Sequence, residues 1–418
     1  MAFLIAAVQM VTLAQAIAIA AARSPTLQIA ADTYRLTRAN VDLSKTPYQP
    51  NVVGTLSAIH GSSNAAAQAP SEDLAGVGVT QLVYDGGHVL AQIRAARASE
   101  AAGAGTLARS AQQLSYTVGQ TYYNALEARA AVRLASRIVA QDRAQEDLIR
   151  AQIDAGIASH VDLATAQIPT AQALVQVARA QGQNIAAVAA FDNAMGLHAD
   201  AGVEPVDDAT GEAGRTLIPG EPVEYDAALA QALAHRPDYQ SAQHAVVAAG
   251  DALRAARTLA APQVSLVANA GVVEFPGNQL GTPANNYVSA SMTLPLYDQG
   301  VKNAQTESAA IQVDLETATL TQTELGIELD VRQAFGILGG AHEAVVQAQA
   351  ELKTAQEVLT DTQVQYRAGI TNLALLLNAQ SGLTQAETDR LSAVFALRQA
   401  EQSYLYALGD VALPTPPP

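Results

Sequence analysis

The sequence contains no cysteine and no tryptophan, and aromatic residues make up only 4% of it. Without cysteine there is no disulfide, no thiolate metal site and no cysteine-linked lipid anchor. Large globular cores draw much of their buried area from aromatic rings. So few of them over 418 residues points to many thin helix–helix contacts. Clustered base is also missing. Lys+Arg is 23 against Asp+Glu 39, a net charge of −16, and no basic run occurs. Binding to phosphate backbones needs such clusters, so the composition disfavours nucleic acid as a partner. The histidines (His60, His88, His160, His198, His235, His244 and His342) show no ligand spacing of the HExxH kind. The glycine pairs Gly76-Val-Gly78 and Gly103-Ala-Gly105 lack the third glycine and the strand-to-helix setting of a nucleotide site, and no Walker motif is present. No Ser-His-Asp or paired-carboxylate grouping stands out. The chain therefore reads as a non-enzyme without cofactor, bound metal or energy source of its own.

Long apolar runs are scarce as well. Residues 1–22 carry no charged side chain, a length that suits a signal sequence or a spanning helix. A basic n-region is absent, and Gln9, Thr12 and Gln15 interrupt the run. The internal duplication described below places residues from about 11 onward inside the fold. A trimmed or partial signal over Met1 to about Met10 is the expectation. No other window reaches 18 apolar residues, so no helical membrane protein is implied.

What is abundant is Ala, Gln, Leu and Glu at helical spacing, as in coiled-coil-like packing. Two stretches organise it. The first runs Arg150-Ala-Gln-Ile-Asp-Ala155-Gly156-Ile157-Ala158-Ser-His-Val-Asp162-Leu163 through Ala166-Gln167. The second runs Tyr366-Arg367-Ala368-Gly369-Ile370-Thr371-Asn-Leu-Ala-Leu375-Leu-Leu-Asn378-Ala379-Gln380. A glycine just past one helix, followed by Ser or Thr before the next, is a C-cap handing over to an N-cap. Each stretch reads as a tight turn between two long antiparallel helices. The helix from 88 to 154 would be about 100 Å long at 1.5 Å per residue and needs a partner along its length. Leu107, Leu114, Val118, Leu126, Leu134, Ile138, Leu148 and Ile149 read as its seam. A soluble coiled-coil rod explains this part equally well. Gly339-Gly340 in mid-helix marks either close packing or a bend, since each glycine costs about 1 kcal/mol against Ala.

The order of periodicities occurs twice. Helical spacing over 12–22 and 26–46 is broken at Arg23-Ser24-Pro25 and ended by Pro47 and Pro50. Strand alternation follows over 51–60 and 73–84, then the Asp85-Gly86-Gly87 turn, then the long helix. Offset by 212, Val11 falls on Val223, Pro25 on Pro237, Pro50 on Pro262 and Val52 on Val264. Offset by 213, Tyr84-Asp85 falls on Tyr297-Asp298, Gly87 on Gly300, Ala155-Gly156-Ile157 on Ala368-Gly369-Ile370, and Gly196 on Gly409. The chain thus divides into a first repeat over 11–199, a Pro- and Gly-rich linker over 200–224, a second repeat over 225–410 with strands near 263–273 and 286–297, and a disordered tail over 411–418.

The strands separate the readings. Segments of about ten alternating residues match the length of a membrane β-strand. Val52, Leu56, Val264, Leu266 and Val272 give them apolar outward faces. Four strands cannot close a barrel, and lipid does not tolerate open sheet edges, so several copies must share one. Tyr48, Tyr84, Phe275, Tyr287 and Tyr297 lie at strand ends, where interface aromatics sit; ordinary turn aromatics are an equal reading. The loops 61–72 and 274–286 would lie at one end of the barrel, with the long helices leaving from the other.

Taken together, the duplicated halves, the two tips, the Pro25 and Pro237 junctions and the Tyr-Asp-x-Gly turns at 84–87 and 297–300 resemble the TolC-like outer membrane efflux proteins over about residues 11–410. The resemblance implies an α-helical and membrane β-barrel fold. Duplicated halves give four strands per chain and complete a 12-stranded trimeric barrel in outer-membrane lipid. Long antiparallel α-helical hairpins then form a periplasmic tunnel. It implies a homotrimer in the outer membrane of a Gram-negative bacterium. The function implied is that of a passive exit duct of a tripartite efflux or type I secretion system, docked on a periplasmic adaptor (membrane fusion) protein and an inner-membrane pump, and gated at the helix tips. Docking would use Gly156, Ile157, Ala158, Gly369 and Ile370. The entrance would comprise Asp162, Tyr366, Thr371, Leu375 and Asn378. Family members usually carry an acid six positions after each tip glycine. Here Asp162 matches, while Leu375 and Asn378 stand where second-half acids would be. Asp162 also reads as a helix N-terminal acid favoured by the dipole. The alternative function is a soluble helical coiled-coil scaffold or adaptor protein of the periplasm.

Overall fold

The computed structural model describes residues 10–59, 72–206, 224–274 and 284–411. The expected signal remnant apart from Met10, most of the loops at 61–72 and 274–286 with Phe275, the stretch 207–223 of the linker and the tail 412–418 lie outside the described residues. In chain order the elements are β1 (Met10–Val11), α1 (Leu13–Arg23), α2 (Pro25–Lys45), β2 (Asn51–Ile59), β3 (Glu72–Tyr84), α3 (His88–Asp154), α4 (His160–Ala194), β4 (Glu204–Pro205), α5 (Tyr225–His235), α6 (Pro237–Arg257), β5 (Gln263–Glu274), β6 (Tyr287–Thr293), α7 (Val301–Arg367) and α8 (Leu373–Leu408). Among the described residues no helix is long and apolar enough to cross a membrane. The chain forms two compact units, one of residues 30–107 and 238–323, the other of residues 1–29, 108–237 and 324–418.

The first of these holds an antiparallel sheet in the order β2-β3-β5-β6. The sequence reading extends the last strand to 297, but β6 stops at Thr293. Pro295 follows, and a proline cannot donate to a ladder. Register decides what each face carries, because directly opposed residues share a face. Val52 opposes Val79, Gly54 opposes Val77 and Leu56 opposes Ala75. Ala75 opposes Val272, Val79 opposes Ala268 and Gln81 opposes Leu266. Ala268 opposes Val288, Leu266 opposes Ala290 and Val264 opposes Met292. One face is therefore almost wholly apolar, and Asp73, Gln81 and Glu274 enter it only near strand ends. It contains all five residues assigned outward faces from the sequence. The other face carries Thr55, Ser57, Thr80, Ser265, Asn269, Ser289 and Ser291 with Gly76, Gly78 and Gly271 between them. Val53, Leu74, Leu82, Val267 and Val273 also lie on it, with Asn51, Gln263, Tyr287 and Thr293 toward the strand ends. Gly76 and Gly271 are opposed, and a Cβ on Gly271 would lie 2.7 Å from the Ala75 carbonyl oxygen. The backbones approach as closely as they do because neither carries a side chain.

Both Tyr-Asp-x-Gly turns cap the long helices in one way. Asp85 Oδ1 accepts from Gly87 N at 2.9 Å and Oδ2 from Val89 N at 2.6 Å. Asp298 Oδ1 accepts from Gly300 N at 3.1 Å and Oδ2 from Lys302 N at 2.9 Å. These backbone donors hold the Asp298 carboxyl below its ordinary pKa. Around them Ser241 Oγ donates to the Ala102 carbonyl at 2.8 Å, tying α6 to α3.

In the other unit, alanines let helices approach closely: Ala16 and Ala20 of α1, and Ala228 and Ala232 of α5, are fully buried. The repeat junctions explain two glycines. Gly196 (φ +72°) has its missing Cβ 2.8 Å from the Arg23 carbonyl oxygen, and Gly409 (φ +77°) has its own 3.1 Å from Arg236 Cγ. The seam of α3 is a stripe through Leu114, Val118, Leu126 and Ile149, as expected, with Leu107, Leu134 and Ile138 half-buried. Leu148 is 43% exposed, because Ile149 takes the stripe position. Polar side chains complete the α3–α8 contact: Gln112 Nε2 donates to the Gly409 carbonyl at 2.7 Å and Gln120 Nε2 to the Gln399 carbonyl at 3.0 Å. The linker does not begin as free coil. Residues 204–205 pair in parallel with 10–11, Arg129 bridges Glu204 at 3.0 Å, and Tyr122 Oη donates to the Val206 carbonyl at 3.2 Å.

Candidate functional site

Both hairpin turns form by the same backbone device. Gly156 has φ +75° and Gly369 φ +71°, the left-handed region in which an L side chain is strained. Gly156 N donates to the Ile153 carbonyl at 2.8 Å and Ile157 N to Gln152 at 2.8 Å; Gly369 N donates to Tyr366 at 3.0 Å and Ile370 N to Gln365 at 2.9 Å. This nested pair satisfies the last carbonyls of α3 and α7. No atom crowds either glycine's missing Cβ, so conformation and not space requires glycine there.

The next helix starts differently at each tip. Ser159 caps α4 with a reciprocal box: Asp162 N donates to Ser159 Oγ at 3.2 Å, and Ser159 N to Asp162 Oδ2 at 2.8 Å. Those bonds hold the Asp162 carboxyl below its ordinary pKa, the backbone donor first and the hydroxyl second. The reading of Asp162 as a helix N-terminal acid therefore holds. At the second tip the cap is Asn372 and not Thr371: Leu375 N donates to Asn372 Oδ1 at 3.0 Å. The 213-residue offset already maps Ser159 onto Asn372, and that signal could have found it. Leu375, in the place of Asp162, cannot complete a box.

The two tips meet. Ile149, Ala166 and Leu373 form a buried cluster, against which Ala158, Leu163 and Tyr366 pack. Tyr366 Oη donates to Gln152 Oε1 at 3.1 Å, and neither the sequence pattern nor the resemblance singled out Gln152. Burial raises the Tyr366 pKa, with the Asp162 charge adding to it. Of the entrance residues, then, Asp162 and Tyr366 stand within electrostatic reach. Thr371 is half-buried, and Leu375 and Asn378 are exposed. Of the docking residues, Ile157 is 78% and Ile370 76% exposed, while Ala158 turns into the cluster. Two bare isoleucines at equivalent positions of two capped turns are apolar knobs that no other described residue covers.

Comparison with known proteins places this arrangement. The profile of the family described as "Outer membrane efflux protein" matches residues 16–197 and 228–410. The outer membrane efflux protein BepC of Brucella suis is 23% identical over 374 residues, covering 88% of this chain and 80% of that protein. Protein CyaE of Bordetella pertussis is 25% identical over 411 residues, covering 96% and 85%. The crystal structure of CusC, described in terms of transmembrane channel formation, superposes with a TM-score of 0.84 at 20% identity over 96% of this chain and 93% of that one. With the family profile falling on both repeats and on the tips between their helices, this chain belongs to the TolC-like family of outer membrane efflux proteins.

Proposed function

We propose that the chain is the passive exit duct of a tripartite efflux or type I secretion assembly, and that three copies close one 12-stranded barrel. The observation that carries this reading is the sheet. Its register separates an apolar face from a face of hydroxyls, amides and glycines, the dyad expected where lipid lies outside and water inside. Leu56 is 88%, Val288 81% and Met292 70% exposed on the apolar side. β2 and β6 each have a single neighbour among the described residues, and lipid does not tolerate such edges; pairing β6 of one copy with β2 of the next removes them. A soluble scaffold would leave this face in water.

The long helices then line a periplasmic tunnel, and the tips form its pump-facing end. Ile157 and Ile370 dock on the adaptor, while Asp162 supplies the acid of an entrance in which Leu375 and Asn378 leave the second repeat uncharged. In a planar bilayer the purified protein gives a steady conductance and runs as a heat-sensitive trimer on gels. Ile157→Asp with Ile370→Asp keeps both properties and abolishes export in cells. A water-soluble monomer without conductance refutes the reading.

A further inference from the structure

A cavity of about 370 Å³ lies in the helical wall between α3, α4 and α8. Two side chains that line it, Asp142 and Gln380, are 8% and 7% exposed. Neither has a hydrogen-bond partner among the described residues, although buried carboxylates and amides almost always have one. Glu146, one turn along α3, does not help, because its carboxylate is engaged by Arg150 at 3.2 Å. Its charge instead adds to burial in pushing the Asp142 carboxyl up. Across from Asp142, Pro169 sits inside α4. A proline there removes the helix bond to the carbonyl four residues back, that of Thr165. The rest of the lining is alkyl or neutral polar: Ile138, Ala173 and Leu377 on one hand, amides and hydroxyls on the other. Among the described residues that line it, Asp142 is the sole ionisable group. Asp389, one turn beyond the lining Gln385, is bonded to that glutamine's amide at 3.0 Å.

We propose that this cavity binds a small organic ammonium ion, with the cation on Asp142, the amide oxygen of Gln380 accepting an N–H, and the alkyl part against Ile138, Pro169 and Leu377. The volume falls in the range of small-molecule pockets, and the mixture of alkyl walls with a few convergent polar groups is what such pockets use. A divalent metal ion fits worse. It asks for several charged oxygen ligands to replace its water, and one carboxylate with neutral amides does not supply them. An ammonium ion needs one carboxylate and a desolvated wall. The site lies within the wall, away from the tip residues, and does not depend on the duct reading.

The test uses the full chain in detergent with 1-adamantylammonium as probe and 1-adamantanol as its uncharged counterpart, read by calorimetry or saturation-transfer NMR. The ammonium binds saturably at neutral pH. Asp142→Asn, which keeps the side-chain shape and removes a buried charge, weakens it at least tenfold, and the alcohol shows no such dependence. Ser381→Trp, at an exposed lining position, blocks both probes. Acidification through the Asp142 titration reproduces the effect of Asp142→Asn. Equal affinity for wild type and Asp142→Asn, or no saturable binding of the ammonium at millimolar concentration, overturns the proposal. So does an alcohol as sensitive to Asp142→Asn as the amine.

Discussion

The two faces of the sheet make a paired substitution decisive. Leu56 lies near the middle of β2 on the apolar face and is 88% exposed in the single chain, while Thr55, its neighbour, points to the polar face. Arginine at a lipid-facing position of a barrel costs about 2–4 kcal/mol near the bilayer midplane and about 0–1 near the interfaces. If three copies share one barrel, as proposed, the cost becomes about 6–12 kcal/mol, comparable to the whole stability of an ordinary domain. On the proposed barrel, Thr55→Arg meets water instead and carries no such penalty, though its charge then stands in the conducting path. Leu56→Arg is thus expected to abolish the heat-sensitive trimer and leave protein unassembled, whereas Thr55→Arg assembles normally and changes conductance and ion selectivity. Urea titration in vesicles of defined thickness supplies the magnitude, and a thinner bilayer should reduce the loss for Leu56→Arg. If the two variants assemble equally well, or if Thr55→Arg is the damaging one, the assignment of lipid and lumen faces is wrong.

Three further outcomes follow from local geometry. Gly271→Ala forces a methyl to within 2.7 Å of the Ala75 carbonyl oxygen and 2.9 Å of Gly76 Cα, and is expected to lose about 1–3 kcal/mol, read as a lower melting temperature of the trimer. Gln299 holds φ +57° without being glycine; Gln299→Gly relieves a strain of about 1–2 kcal/mol, offset in part by glycine's entropy of about 0.5–1 kcal/mol, and should raise stability slightly, while loss of stability would show that the side chain contributes more than its backbone costs. Asp162 has a depressed folded pKa because Ser159 donates to its carboxylate, so its capping is complete above the ordinary carboxylate range and is lost as pH falls below about 4. Hydrogen exchange at the first tip should quicken in that window, and Asp162→Asn should remove the pH dependence and alter cation block of single-channel currents.

What could be read from the sequence was whatever is enforced locally. The alternation of β2, β3 and β5, a glycine between two helical patterns and an Asp two residues before a glycine each fix the backbone within a few positions, and each is present in the fold. What could not be read depends on partners far along the chain. The pairing of Met10–Val11 with Glu204–Pro205 spans the whole first repeat for two residues of strand, too short to leave a pattern. Tyr366 finds Gln152 at a separation of 214 residues, and an aromatic before a tip glycine does not announce an amide on the other hairpin. The end of β6 is signalled by Pro295, but the alternation of Leu294 and Leu296 around it suggests continuation as far as Tyr297.

The duplication itself sorts the residues by physical role. Several positions where the two repeats agree set a dihedral or cap a helix: Gly156 with Gly369, Gly196 with Gly409, Asp85 with Asp298; others, Ile157 with Ile370 and Val52 with Val264, keep an apolar surface. Where they differ, the backbone tolerates several solutions. A Ser159–Asp162 box and a lone Asn372 both start a helix, so the choice between acid and leucine at the fourth position is free to follow what faces the tip. That freedom leaves a single acid per chain at this level, and three copies would present three carboxylates there, not six. If charge at the entrance governs cation block, Leu375→Asp should strengthen the block without disturbing the fold. It restores an acid at an exposed N3 position whose backbone N–H is already capped, where the helix dipole favours negative charge by about 0.3–1 kcal/mol. Stronger block with an unchanged melting temperature is the expected result. Unchanged block would mean that this level of the tips does not face the ion path, whatever the charge on Asp162.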